Sequence, residues 1–213
     1  PGVFIPIAEQ INLMDSIGEF VLREACSFAS GWKTIDMNAP PRIAVNVSPQ
    51  QLRNVNFIDL VRQTLSDTGV EPAQLELEIT EEVLVHDFDE VKDMLMEIRD
   101  LGVSIAVDDF GSGQTSLRYL NQFPISKLKI DRSFIKNLGV DEKAEEITRS
   151  MVDLGRRLGV SVLAEGVEEE SQLRILKLWN CDQVQGFLFS KPFAESTVVE
   201  YLNQLSNPLR KSA

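Results

Sequence analysis

The chain has 213 residues, 43% hydrophobic and 25% charged, which is ordinary globular composition and enough chain to bury one substantial core. Its 33 acidic and 21 basic side chains give a formal charge of −12, so duplex nucleic acid is excluded as an expected partner, because phosphate neutralisation needs a basic face. No apolar run approaches the ~18 residues of a membrane span, no signal peptide opens the chain, and Cys26 and Cys181 form neither a CxxC pair nor a disulfide framework. A reducing, cytoplasmic location without direct membrane contact is expected for this segment, although a larger parent could be anchored elsewhere.

The opening "PGVFIPIAEQ" reads as the inside of a domain, an apolar approach to a helix. The first long helix is predicted over 16–30, with Ile17, Val21, Ala25 and Phe28 as its buried stripe. Strand-like runs follow at 42–48 ("RIAVNVS"), 75–80 ("LELEIT"), 104–110 ("SIAVDDF"), 127–131 ("KLKID"), 161–167 ("SVLAEGV") and 182–190 ("DQVQGFLFS"). They are short and rich in Val, Ile and Leu, as in a parallel sheet covered by helices. Between them, Val91, Leu95 and Ile98 mark a helix near 88–101 with Gly102 at its C-terminal cap. Ile147, Met151, Leu154 and Leu158 likewise mark one face of a helix over 142–158. "LGVSIAVDD" (101–109) and "LGVSVLAEG" (158–166) repeat one unit of helix end, glycine cap, strand and terminal acid. Six strands with intervening helices predict an α/β fold, either a (β/α) barrel or an open doubly wound sheet. A full barrel needs eight strands, so this chain is two short.

The strands stop being apolar at their C-terminal ends. Asn46 lies near the end of the first; Glu78, with Glu81 just beyond, ends the second; Asp108 and Asp109 end the third. The fourth carries Lys129 and Asp131, the fifth ends in Glu165 with Glu168 close by, and the sixth contains Gln185. In a parallel barrel these ends open on one face, where active sites are built. Five acids gathered there (Glu78, Glu81, Asp108, Asp109, Glu165) would repel one another and hold raised pKa values unless cations sit among them. Oxygen-only ligands, with no histidine or cysteine cluster, point to Mg²⁺ or Mn²⁺ rather than Zn²⁺. The aspartate pair suits two ions about 3.5–4 Å apart acting on a phosphodiester. Lys129 would hold or help deprotonate the attacking water, or balance charge on the phosphate.

Taken singly, each residue has a plainer reading. Asp108 could begin a loop, Asp131 could cap the next turn, and the stem of Lys129 could lie over apolar surface. Recurrence over six strands favours a site. "GSGQTS" (111–116) lacks Walker or GxGxxG spacing and reads as a flexible active-site loop. His86 is expected in a surface loop, Cys26 packed on the first helix, and the glutamates of "EEITR" on a solvated helix face.

Together these motifs resemble the EAL domain, a bacterial phosphodiesterase family that hydrolyses cyclic di-GMP to linear pGpG. The resemblance runs in order through "FIPIAE" (4–9), "NVSPQQL" (46–52), "LELEITE" (75–81), "DDFGSG" (108–113), "LKIDRSFI" (128–135), "AEGVE" (164–168) and "QGFLFSKP" (185–192). It implies a modified TIM barrel with one strand running against the rest, in a single domain over 1–213. It implies that Asn46, Glu78 and Asp108 bind a first metal, that Asp108 bridges to a second completed by Asp109 and Glu165, and that Lys129 contacts the catalytic water. Glu81 would steady the loop after the aspartates, while Glu168 and Gln185 would support metals, water and substrate. A homodimer is implied as well. The Glu-Ala-Leu motif that names the family does not precede "FIPIAE" here, so the domain is expected to be N-terminally truncated, lacking its first two strands and one ligand of the first metal. A non-hydrolysing cyclic di-GMP receptor, or an inactive fragment, is therefore the alternative expectation. Gln114 and Phe187 stand where the family usually has tyrosine.

Overall fold

Short runs rich in Val, Ile and Leu, punctuated by turn residues, form six strands among the described residues: β1 (Ile43–Val47), β2 (Leu75–Thr80), β3 (Ser104–Phe110), β4 (Lys127–Ile130), β5 (Ser161–Ala164) and β6 (Gln183–Val184). In the computed structural model, which describes residues 2–34, 41–86, 88–112 and 120–206, every neighbouring pair is parallel and the sheet order is β1-β2-β3-β4-β5-β6. Strand order that follows chain order without reversal is that of a (β/α) barrel wall, whereas a doubly wound sheet reverses at a switch point. Right-handed crossovers place the connecting helices on one face of such a sheet.

Before β1 lie α1 (Phe4–Gln10) and α2 (Met14–Ser30). Between β1 and β2 lie α3 (Pro49–Leu52) and α4 (Phe57–Thr68), and between β2 and β3 lie α5 (Glu81–His86) and α6 (Phe88–Asp100). After β4 come α7 (Arg132–Ile135) and α8 (Glu142–Leu158); α9 (Glu170–Leu178) joins β5 to β6, and α10 (Glu195–Ser206) follows. His86 thus ends a short helix rather than sitting in the predicted loop. Among the described residues no helix is long and apolar enough to cross a membrane.

The strands divide their residues between two faces with period two. Leu75, Leu77 and Ile79, with Ile105, Val107, Leu128 and Ile130, are essentially inaccessible and form the layer beneath the helices. Register places Leu77 beside Ile105, and Ile79 beside Val107, so this layer is continuous across strands. The other face carries Glu76 and Glu78 on β2 and Lys127 and Lys129 on β4, all four buried. Helix α6 packs on Val91, Leu95 and Ile98 as its periodicity predicts, and Gly102 follows at φ +91°.

Two helix seams are shifted from the predicted stripes, whose Ala25, Phe28, Met151, Leu154 and Leu158 still pack partly buried against the core. On α2 the buried positions are Met14, Gly18, Leu22, Cys26 and Ala29, while Val21 is exposed. On α8 they are Thr148, Val152 and Gly155, while Ile147 is exposed. In both cases a glycine brings the backbone close to its neighbour, which turns the face containing it inward. A Cβ on Gly18 would strike the Gln51 amide, and one on Gly155 would strike Val162. Cys26 is packed as expected; burial pushes its thiol up to about 11, and both cysteines are free.

The sixth strand is also shorter than predicted, because the chain turns at Gly186. Phe189 and Ser190 N–H groups donate to the Gly186 carbonyl, and Phe187 is exposed on that turn. The β5 loop crosses here: Val167 N–H donates to Gln185 O, and Leu188 N–H donates to Val167 O. A Cβ on Gly186 would overlap the Val167 backbone, which cannot move aside as a side-chain tip can. Gly186→Ala is expected to cost about 1–3 kcal/mol, read as a fall in Tm of about 2–4 °C for each kcal/mol. Gly31→Ala, where no described residue lies within 4 Å of the new methyl group and the backbone is right-handed helical, is the control that should not lower Tm.

Candidate active site

Register gathers the polar strand ends. Asn46 on β1 lies beside Glu78 on β2, and Thr80 lies beside Asp108 on β3. Just past β5, Glu165 N–H donates to Ile130 O of β4, and Gln185 N–H donates to Ala164 O. Side chains from four neighbouring strands then meet at Lys129. Its ammonium lies 2.8 Å from Glu78 Oε1, 2.8 Å from Asp108 Oδ1 and 2.9 Å from Glu165 Oε1. Lys129 and Glu78 are buried, and Asp108 and Glu165 are half-buried.

Burial alone would lower the Lys129 pKa, but the three carboxylates around it outweigh that cost and raise it. Burial raises the pKa of Glu78 and of Glu165, with Lys129 partly opposing the shift in each. Asp109 is also raised, first by burial and then by the neighbouring charge of Asp108. One ammonium is thus set among four carboxylates, a net negative cluster in a partly desolvated place.

Adjacent aspartates on a regular strand would point to opposite faces. Here the register of β3 against β4 shifts between Val107 and Phe110, a bulge of the kind that re-aims side chains. Asp109 adopts φ +52°, a left-handed conformation that aspartate tolerates better than most residues. Asp109 N–H donates to Asp108 Oδ1 at 3.0 Å, and the Asp109 carbonyl accepts from both the N–H and the hydroxyl of Ser112. As a result Asp108, Asp109 and Glu165 each present a carboxylate oxygen within 4.8 Å of the others. Buried Glu81 accepts the Gly111 N–H at 2.7 Å, which fastens the first turn of the loop after the aspartates. Gly113 and Gln114 of that loop lie outside the described residues.

Glu168 and Gln185 stand on the rim with exposed side chains. The Glu168 backbone is held by Gln172, whose Oε1 accepts the N–H groups of Glu168 and Glu169 and whose amide donates to Ile135 O. Asn46 is exposed beside Glu78. Asp131, read from sequence mainly as a possible cap, does cap α7 by accepting Ser133 N–H at 2.9 Å. Burial opposes ionisation of Asp131, but the Ser133 contact and the neighbouring Asp109 carboxyl hold its pKa low. The i, i+2 spacing of Lys129 and Asp131 was the available signal. Sequence reading passed over Glu76 and Lys127 altogether; they form a buried ion pair at 2.6 Å.

The donor set fits hard divalent cations. It offers only oxygen, carries excess negative charge and concentrates three carboxylates within one coordination sphere's reach. Asp108, Asp109 and Glu165 could hold one ion, with Glu78 and Asn46 on the neighbouring strands.

Comparison with known proteins gives a consistent match. A family model described as EAL domain matches residues 1–192. Signaling protein YkoW of Bacillus subtilis is 37% identical over 202 residues, covering 95% of this chain and 25% of that protein. Cyclic di-GMP phosphodiesterase NbdA of Pseudomonas aeruginosa is 36% identical over 207 residues, 95% of this chain and 26% of that one. The chain spans about a quarter to a third of the length of the curated relatives it matches. A solved structure described as PaMucR phosphodiesterase in complex with c-di-GMP superposes with a TM-score of 0.88 at 40% identity, over 93% of this chain and 80% of that one.

Two outcomes follow from the geometry. Glu81→Ala should release the Gly111 amide, which hydrogen exchange would register as faster exchange at Gly111 while the amides of β2 stay protected; unchanged exchange would show the contact to be idle. The pKa directions set a pH dependence. Raised carboxylates bind more protons folded than unfolded, so their contribution to stability falls as pH rises through that window and stays unfavourable above it. Raised Lys129 contributes stability in full below its unfolded pKa and loses it only as pH rises through the higher folded value. Millimolar Mg²⁺ or Mn²⁺ should therefore raise Tm at about pH 7.5, and raise it less at about pH 4.5, where the carboxylates take up protons. Equal shifts at both pH values would exclude binding at this cluster.

Proposed function

The chain belongs to the EAL domain family, and from that premise we propose that it hydrolyses cyclic di-GMP to linear pGpG in a metal-dependent reaction. Supporting this reading, NbdA is named a cyclic di-GMP phosphodiesterase and the PaMucR phosphodiesterase structure is a c-di-GMP complex. The observation that carries it is the meeting of Glu78, Asp108 and Glu165 on the Lys129 ammonium, with Asp109 turned to the same side.

In this reading Asn46, Glu78 and Asp108 would hold one Mg²⁺ or Mn²⁺, and Asp108, Asp109 and Glu165 would hold another. Two such ions would supply Lewis acidity at the phosphate and a more acidic water. The remaining work falls to the chain's own groups. An ammonium has three donors, and those of Lys129 are directed at three carboxylates, which fixes its charge in place to face the phosphate; a donor would turn to the attacking water where a cation takes over one of those carboxylates. Glu81 anchors Gly111 and so keeps Asp109 in its left-handed conformation. Glu168 and Gln185, on the rim, support water and substrate. Hydrolysis adds one water across one P–O3′ bond: phosphorus gains the water oxygen, and O3′ leaves with a proton. A cytoplasmic homodimer completes the reading.

The test is chromatography of cyclic di-GMP incubated with the chain and Mg²⁺ or Mn²⁺, against EDTA. Metal-dependent pGpG is expected, and Asp108→Asn, Glu165→Gln and Lys129→Met should each lower turnover more than about a hundredfold, beyond the usual effect of outer-shell changes. A folded chain that binds cyclic di-GMP without product is a receptor, and one that does neither refutes the reading.

A further inference from the structure

Directly beneath the site lies a second Glu–Lys pair of the same design. Glu76 and Lys127 are 4% and 7% exposed, with Nζ 2.6 Å from Oε1. Like Glu78 and Lys129 two positions further along, they reach from β2 to β4 across β3. Their inward neighbours in register are Ala44 and Ser104 for Glu76, and Ala106 and Ser161 for Lys127. These side chains are all small and leave room for the crossing. Barrel interiors are usually filled at this level by branched apolar side chains. A buried ion pair is weak evidence for stability, since apolar residues of similar volume often serve as well or better. Its presence here calls for a positional explanation.

Residues two apart on a strand are separated by about 6.6 Å, so each ammonium lies within side-chain reach of the other layer's carboxylate. Glu76 is poorly provided for apart from Lys127. Its Oε2 is buried with no hydrogen-bond partner among the described residues, and the Arg42 guanidinium, half in solvent, is 3.9 Å away. Among the described residues Lys129 is the other buried lysine, two positions along the same strand. We propose that Lys127 is a positioning residue that satisfies Glu76 and thereby reserves Lys129 for Glu78, Asp108 and Glu165. The paired charges keep two layers separate: the lower is neutral and closed, while the upper keeps its ammonium at the site.

The kinetic half of the test rests on the phosphodiesterase reading; the binding half does not. In the full chain, Lys127→Met should draw Lys129 toward Glu76. The kcat for cyclic di-GMP should fall about tenfold or more, with KM little changed. The affinity for Mn²⁺, measured by calorimetry, should rise, because the site carboxylates lose their competing ammonium. The double variant Glu76→Gln, Lys127→Met removes the orphaned carboxylate and should restore both quantities to within about threefold of the parent chain. It decides the matter even if Lys127→Met alone does not fold. A double variant that stays more than tenfold impaired, or a folded Lys127→Met that matches the parent in both quantities, overturns the proposal. Joint loss of turnover and Mn²⁺ affinity without recovery would assign the pair a purely structural part and overturn it too. If the parent chain shows no turnover, the phosphodiesterase reading fails, while Mn²⁺ affinity across the same variants still decides the role of Lys127.

Discussion

The Lys129 ammonium is in contact with carboxylates delivered by three different segments of chain, at distances no longer than 2.9 Å. Burying a charge is costly unless it is paired, and here one cation answers several anions at once. That contact requires β2, β3, β4 and β5 to lie side by side with their C-terminal ends level, which the unbroken parallel order provides. It also requires the strand faces to be inverted relative to an ordinary exposed sheet, with the apolar side outward under helices and the polar side inward. The bulge at Asp108 and Asp109, the Glu81 anchor and the Gln172 brace adjust the rim of this arrangement rather than create it.

Much of this was legible in the sequence because it follows from period and polarity. Val91, Leu95 and Ile98 gave α6 its buried seam directly, and the acids at strand ends pointed to one rim once the strands were parallel. The seams of α2 and α8 were legible in part: Ala25, Phe28, Met151, Leu154 and Leu158 pack against the core, while Val21 and Ile147 are exposed. Close approach at Gly18 and Gly155 sets the centre of each seam, and a glycine carries no hydropathy signal. The end of β6 depended on backbone crowding between Gly186 and Val167, two segments whose meeting no local pattern announces.

The interior pair illustrates a different limit. In "LELEIT" and "KLKID", the alternating charges look like the solvent side of a half-buried sheet. In a barrel wall that same side faces the enclosed centre, so Glu76 and Lys127 are buried. Which carboxylate meets which ammonium depends on β3 lying between them with Ser104 and Ala106 inward. Only register supplies that information.

The Glu76–Lys127 bridge joins residues 51 positions apart in sequence. Neither partner can be dehydrated profitably until β3 has docked between their strands, so the bridge belongs to the late part of assembly, after the locally encoded helices and the outer apolar layer have formed. Contacts absent from the folding transition state act chiefly on the unfolding rate. The polar centre of this sheet therefore bears on how long the native state persists more than on how quickly it is reached.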